Sequence, residues 1–321
     1  MGTLLLGVDG GNTKTHALVT DADGSVLGTG DAGTADIHNS TPESALKEIL
    51  GACREALAAA DAGAADLAAS GFSLAGADYP EDFELLRAEL RERLGLADDP
   101  VIVNDAVGAL RCGTDDSVGV AAVLGTYCAV AGRNADGDLF HFGFWPDSTG
   151  AYTLGSEALA AIWRHMLDLG PSTSLIGRAL ERWNCADVDE LLYEFTRIGG
   201  HPPSEPGRFA DAVLDEAEAG DAVAREIVEM VGRRLGDYAR VCAARTGQLG
   251  SPFPLVLTGG VLRHPSLLLR AAIQERVPYG VAIYPDIEPV VGALLLAADH
   301  VGARPDRGRL RSASAAVIGG G

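Results

Sequence analysis

The chain has 321 residues, room for roughly two domains at about 150 residues each, and its 47% hydrophobic and 22% charged content is that of a globular protein. A formal charge of −20 excludes nucleic acid and anionic membrane as partners, because both select basic faces. No apolar run approaches the roughly 18 residues of a membrane span and no basic leader opens the chain, so the expected location is cytoplasmic.

Leu4 to Val8 is a short apolar run, followed by Gly10-Gly11-Asn12 and then by β-rich Thr15 to Thr20. Glycine and asparagine accept positive φ, so the pattern predicts a strand, a tight turn and a returning strand. A P-loop or dinucleotide fingerprint would instead put a helix after the glycines. Asp21 to Gly24 is a second turn and Ser25 to Gly30 a third strand. Thr41-Pro42 then reads as N-cap and first turn of an alanine-rich helix to about Ala60. Leu67 to Leu74 is a strand, Glu81 to Leu94 an amphipathic helix ended by Gly95, and Pro100 to Val103 a buried strand leading to Asn104-Asp105 and a short helix.

The order then repeats. Ser117 to Leu124 is a strand, Gly125-Thr126 a turn, Tyr127 to Arg133 a strand, Ala135 to Asp138 a turn, and Leu139 to Phe144 a third strand. A helix from about Tyr152 to Asp168 follows, then a helical stretch to Gly247 whose longest segment is Asp221 to Arg245. Pro254 to Thr258 and Val281 to Tyr284 are strands, with helices at Pro265 to Glu275 and Pro289 to His300. The pattern is two βββαβα units, residues 1–113 and 114–300, the second carrying a helical insertion at about 170–247. The closing helix is expected to reach back to the first unit, and Arg304 to Gly321 reads as a loose tail.

Successive amides in a glycine turn form an anion-binding nest, and Thr13 and Lys14 add a hydroxyl and one of only two lysines in the chain. An ordinary hairpin is the alternative. Asp9 is either turn chemistry or, beside a phosphate nest, an acid that needs a cation in between. Asp105, between strand and helix, occupies an N-cap position by residue type. Five scattered cysteines form no C-x-x-C pair and suggest neither a disulfide framework nor a zinc site, and the seven histidines lack metal-ligand spacing.

These segments resemble the N-acetylglucosamine kinase and BadF/BadG/BcrA/BcrD-type ATPase group of the sugar kinase, Hsp70 and actin superfamily, from Val8 to about Ala298. The resemblance implies an α/β protein of two ribonuclease H-like, actin-like ATPase domains facing across a cleft. Asp9-Gly10-Gly11-Asn12-Thr13-Lys14 is similar to the first phosphate loop, which puts Asp9 on hydrated Mg2+ and Gly10, Gly11, Asn12, Thr13 and Lys14 on ATP. Gly125-Thr126 matches the start of the second phosphate loop, and Gly259-Gly260 the adenosine turn. Ser73 to Gly76 resembles the segment lining the sugar pocket, and Val103 to Ala106 the segment carrying the catalytic base, implying Asp105. Asn104, Asp36 and Asp147 fall at substrate-binding positions. The chain departs at Tyr127-Cys128, where a glycine and a serine are usual, at Ser148-Thr149, where a glutamate and a glycine are, and at Asp36, where asparagine is frequent.

The implied activity is an ATP-dependent kinase of a sugar or amino sugar such as glucosamine or N-acetylglucosamine, acting as a homodimer with no nucleic-acid or membrane partner. Two alternatives stand beside it: an ATPase that drives a partner protein, and a sugar-binding regulator without turnover.

Overall fold

A computed structural model of the protein describes residues 3–142 and 149–318. Its first half comprises β1 (Leu4–Gly10), β2 (Thr15–Asp21), β3 (Val26–Ala32), α1 (Pro42–Ala59), β4 (Leu67–Leu74), α2 (Pro80–Leu94), β5 (Val101–Asn104) and α3 (Asp105–Gly113). The second comprises β6 (Gly119–Leu124), β7 (Cys128–Arg133) and β8 (Leu139–Phe142). There follow five helices, α4 (Ala151–Met166), α5 (Leu175–Trp183), α6 (Val188–Thr196), α7 (Ala210–Ala219) and α8 (Ala222–Arg245). The half closes with β9 (Phe253–Thr258), α9 (Gly260–Arg263), α10 (Leu267–Arg276), β10 (Gly280–Ile283) and α11 (Pro289–His300), before a final α12 (Arg307–Ile318).

The duplication is explicit in the sheets. One is ordered β3-β2-β1-β4-β5 and the other β8-β7-β6-β9-β10. In each, three antiparallel strands joined by turns continue into two parallel strands reached by helical crossovers. Local chemistry explains the helix ends. Thr41 accepts a hydrogen bond from the Ser44 amide with Pro42 in the first turn, Gly95 closes α2 in the left-handed region, and Asp221 caps α8 through the Ala224 amide.

Each sheet has its own core, around Leu6, Val8, Ile49, Phe72 and Leu86 in the first half and around Leu154, Ile162, Phe209, Val228 and Leu255 in the second. Helix α11 departs from this separation. It follows β10 of the second sheet but lies on β1 and β4 of the first, where Val291 and Leu294 are buried with Leu5 and Leu18. It also crosses α3 so closely that a Cβ on Gly292 would lie 2.1 Å from the Gly108 carbonyl oxygen and 2.7 Å from the Cys112 Sγ. The helices that follow β5 and β10 therefore touch backbone to backbone. Gly292→Ala is expected to force them apart and to cost about 1–3 kcal/mol, read as a lowered midpoint in thermal unfolding.

Two expectations need correction. Residues 304–321 are not a loose tail throughout: Asp306 accepts the Arg309 amide at 2.8 Å, its own amide bonds the Asp23 carbonyl at 3.0 Å, and Leu310 is fully buried. A cap and one apolar anchor order α12 where composition suggested neither. The short α9, on the other hand, stands where a turn alone was expected.

Candidate active site

Strands β1 and β2 are paired through Asp9↔His16 and Gly10↔Thr15, so the chain must reverse over four residues, and the Gly11 amide closes the turn on the Lys14 carbonyl at 2.9 Å. The amides of Asn12, Thr13 and Lys14 have no protein acceptor among the described residues. They are the free donors that an anion-binding nest requires. Gly10 sits behind the turn, because a Cβ there would lie 2.4 Å from the Ala35 Cβ. In the second sheet the Gly125 amide bonds the Tyr127 carbonyl at 3.0 Å, while the carbonyls of Gly125 and Thr126 accept the first two amides of α4. The two hairpins meet: Thr13 Oγ1 and Thr126 Oγ1 are 3.4 Å apart although 113 positions separate them.

Beneath this junction lies a cleft of about 450 Å³. It brings together Asp9, Gly11, Asn12, Thr13, Lys14, Asp105, Gly125, Thr126, Gly259 and Gly260. Gly259 follows β9 with φ +107°, and a Cβ on it would lie 2.5 Å from the Leu124 carbonyl oxygen, so glycine is needed to turn the chain into α9 beside the second hairpin.

Asp105 is the first residue of α3, and Asn104 rather than Asp105 is its N-cap. The Asn104 Oδ1 accepts the Ala106 amide at 3.1 Å and its Nδ2 donates to Asp78 Oδ1 at 3.0 Å. Asp105 Oδ1 also accepts the Ala106 amide, at 2.9 Å. Asp105 lines the cleft and is half-buried. Burial, which outweighs that hydrogen bond, raises its pKa to about 6, with the charge of Asp36 adding to the rise. Asp9 is raised to about 7, first by burial, then by Asp105 and Glu288, against the pull of Lys14. Asp78 is likewise pushed up to about 7 by burial and by Asp105. Several carboxyl groups are thus crowded into one region with little compensating charge, an arrangement typical of functional sites.

The remaining candidates stand behind Asp105 rather than in the cleft lining. Ser73 is fully buried and donates to the Asp105 carbonyl, and Gly76 lies against the Ile37 backbone. Asp36, 5% exposed, accepts the His38 and Asn39 amides and the Asn39 Nδ2, and Asn39 Nδ2 also reaches Asn12 Oδ1 at 2.9 Å. Asp36 therefore braces the loop next to the first hairpin. Asp147 and Ser148 lie outside the described residues.

Glu288 has no counterpart among the sequence candidates, yet it faces Asp9 in the cleft and pairs with Arg263 at 2.6 Å. The duplication holds the signal for it. Asn104 caps α3 after β5, and Glu288 occupies the same N-cap position of α11 after β10. His16, Arg208 and Asp211 also line the cleft. His16 bonds Asp31, and the other two come from the helical insertion, where no local pattern distinguishes them from an ordinary polar helix face.

Two sheets of this order, meeting through paired hairpins over a carboxylate-lined cleft, define the actin-like ATPase class, the architecture of the sugar kinases. The chain matches the BadF/BadG/BcrA/BcrD ATPase family over residues 6–297 and belongs to that family. It is 26% identical over 310 residues to an N-acetyl-D-glucosamine kinase of Dictyostelium discoideum, with 92% of this chain and 97% of that protein covered. An N-acetylmuramic acid/N-acetylglucosamine kinase of Clostridium acetobutylicum is 26% identical over 268 residues, covering 82% and 87%. A solved structure of a candidate N-acetylglucosamine kinase from Chromobacterium violaceum shares the fold with a TM-score of 0.71 at 22% identity, covering 92% of this chain and 99% of the other. A ROK family glucokinase of Streptomyces griseus, solved with glucose and AMPPNP, shares it at 0.60 and 18% identity, covering 92% and 99%.

Proposed function

We propose that the protein is an ATP-dependent kinase that phosphorylates a hydroxyl of a sugar or amino sugar of the N-acetylglucosamine kind. The observation that carries this reading is the meeting of two amide-lined hairpins, Thr13 to Thr126, above the carboxylates of Asp9 and Asp105. The free amides of Asn12, Thr13 and Lys14 hold phosphate oxygens, Lys14 and Thr126 add a charge and a hydroxyl, and Gly259-Gly260 gives the nucleoside room to approach the backbone. Asp105 orients the sugar hydroxyl and accepts its proton. The hydroxyl oxygen then bonds to the γ-phosphorus as the bond from that phosphorus to the bridging oxygen breaks, leaving ADP. Positioning and charge stabilisation supply most of the acceleration in such transfers.

Mg2+ fits the donor set. No cluster of three or more metal-ligating side chains exists among the described residues, and Mg2+ characteristically uses one or two carboxylates with phosphates and waters. Asp9, with Glu288 facing it, would hold the hydrated ion, which when bound neutralises phosphate charge. The same reading takes the sugar pocket to lie on the side of Asp36, Ser73, Gly76 and Asn104, with Asp147 as a further hydroxyl partner. It also takes residues 1–113 and 114–300 as the two closing units, and a cytoplasmic homodimer as the working assembly.

A base must be ionised to accept a proton, so kcat/KM is expected to fall as pH drops through about 7 to 6, the raised values of Asp9 and Asp105, and to plateau by pH ~8. Raising free Mg2+ should move that acid limb to lower pH by favouring ionised Asp9. A profile flat from pH 5 to 8 would remove Asp105 from the role. Steady-state rates across this range are the test.

Two observations favour the kinase over its alternatives. Cys53, Cys112, Cys128 and Cys242 are buried, which leaves half-buried Cys185 alone to meet a partner, where a shared iron–sulfur cluster draws on several thiolates. Tyr127 lines the cleft but leans on Tyr152 at 5.8 Å between centroids and leaves Thr126 in reach of Thr13, so the bulky departure does not part the two hairpins that a kinase needs together.

A further inference from the structure

Behind α9 a second recess of about 250 Å³ opens at the carboxyl ends of β9 and β10. Thr258, Arg263, Arg270, Tyr284, Pro285 and Glu288 form its walls. Gly259, Arg263 and Glu288 belong to both the recess and the cleft, and the Arg263–Glu288 ion pair joins the two walls. At this volume it falls just below the roughly 300–1,000 Å³ of pockets for drug-sized ligands, so its occupant is smaller than a nucleotide.

Arg270 sets its chemistry. The chain carries 45 acidic residues against 25 basic ones, yet Arg270 has no carboxylate partner among the described residues. Its guanidinium lies over the Tyr284 ring, 4.4 Å from the centroid, and its Nε is buried with no hydrogen-bond acceptor. That Nε is sealed from the recess, but the terminal N–H groups are not among the buried atoms and have no acceptor among the described residues, so a half-buried guanidinium charge stands at the recess wall open to an incoming anion. The ring contact holds the guanidinium at the recess wall, and a guanidinium offers several N–H donors to an oxyanion. Thr258 and Arg263 line the same recess, and Arg263, although it pairs with Glu288, adds to the positive charge on that side.

We propose that this recess is a second binding site, adjoining the nucleotide cleft and sharing a wall with it, that takes inorganic phosphate or a small phosphomonoester with Arg270 as its principal anchor. The proposal does not depend on what reaction the cleft performs.

Isothermal titration of inorganic phosphate, and separately of glycerol 1-phosphate, into protein whose cleft is filled with AMPPNP and Mg2+ tests it. One equivalent of anion should bind the wild type, and the tighter of the two probes identifies free phosphate or ester as the preferred source. Arg270→Gln should weaken that binding by about tenfold or more while leaving AMPPNP binding intact, which shows the variant to be folded, and Arg270→Lys should fall between. Equal binding by Arg270→Gln overturns the proposal. So does absence of anion binding, or its loss whenever AMPPNP occupies the cleft, which would make the recess part of the nucleotide site.

Discussion

Asp105→Asn is expected to lower kcat by about 10²- to 10⁴-fold, the usual loss when a positioned general base is removed. The substitution keeps the shape of the side chain and the amide oxygen can still accept the Ala106 N–H, so α3 should begin as before. What is lost is the acceptor for the sugar proton. Because Asn104 supplies the helix cap, the variant should melt close to wild type or slightly above it. At neutral pH the raised pKa of Asp105 means that its ionised carboxylate destabilises the fold, a cost that disappears with the carboxyl group. A variant that turned over near the wild-type rate on its best sugar, assayed by coupled ADP release, would mean that another group takes the proton.

The second large effect is structural. Leu294→Ala in α11 should destabilise the protein by about 2–5 kcal/mol, the range for emptying a fully buried leucine site. The cavity would open where α11 lies on β1: a Cβ on Gly7 would sit only 2.6 Å from the Leu294 amide nitrogen, so the backbones are already in contact and have little freedom to close further. Denaturant unfolding measures the loss, and kcat of the remaining folded enzyme should stay close to wild type. A large fall in kcat with unchanged stability would show instead that α11 acts directly in the site, through Glu288 at its start.

What the sequence revealed and what it hid follow one physical distinction. Tight turns are written locally. Gly10-Gly11-Asn12 and Gly125-Thr126, each between β-rich runs, announced both hairpins, and their recurrence at equal places announced the duplicated sheets. Thr41-Pro42 and Gly95 marked helix ends for the same reason. Properties that depend on distant packing were less legible. Arg208 and Asp211 reach the cleft only because the helical insertion folds back over it. Glu288 is an unremarkable acid until the equivalence of α3 and α11 is seen. The order of α12 rests on Leu310 docking among Leu5, Leu18 and Leu294, contacts from the far end of the chain. Asp36 shows the same dependence on packing: it accepts the His38 and Asn39 amides and the Asn39 side chain, and its charge adds to the raised pKa of Asp105.

Joined hairpins that hold a triphosphate, with Asp105 beside the acceptor hydroxyl, make cleavage of ATP depend on the sugar. This dependence is tested most directly by incubating the purified protein with Mg2+, ATP and N-acetylglucosamine, with glucosamine, glucose and N-acetylmuramic acid in parallel, and measuring ADP and phosphorylated sugar together. ADP release should depend on one of these sugars and match the sugar phosphate formed mole for mole. Sugar binding without ADP release, or ADP release indifferent to every sugar, would contradict this.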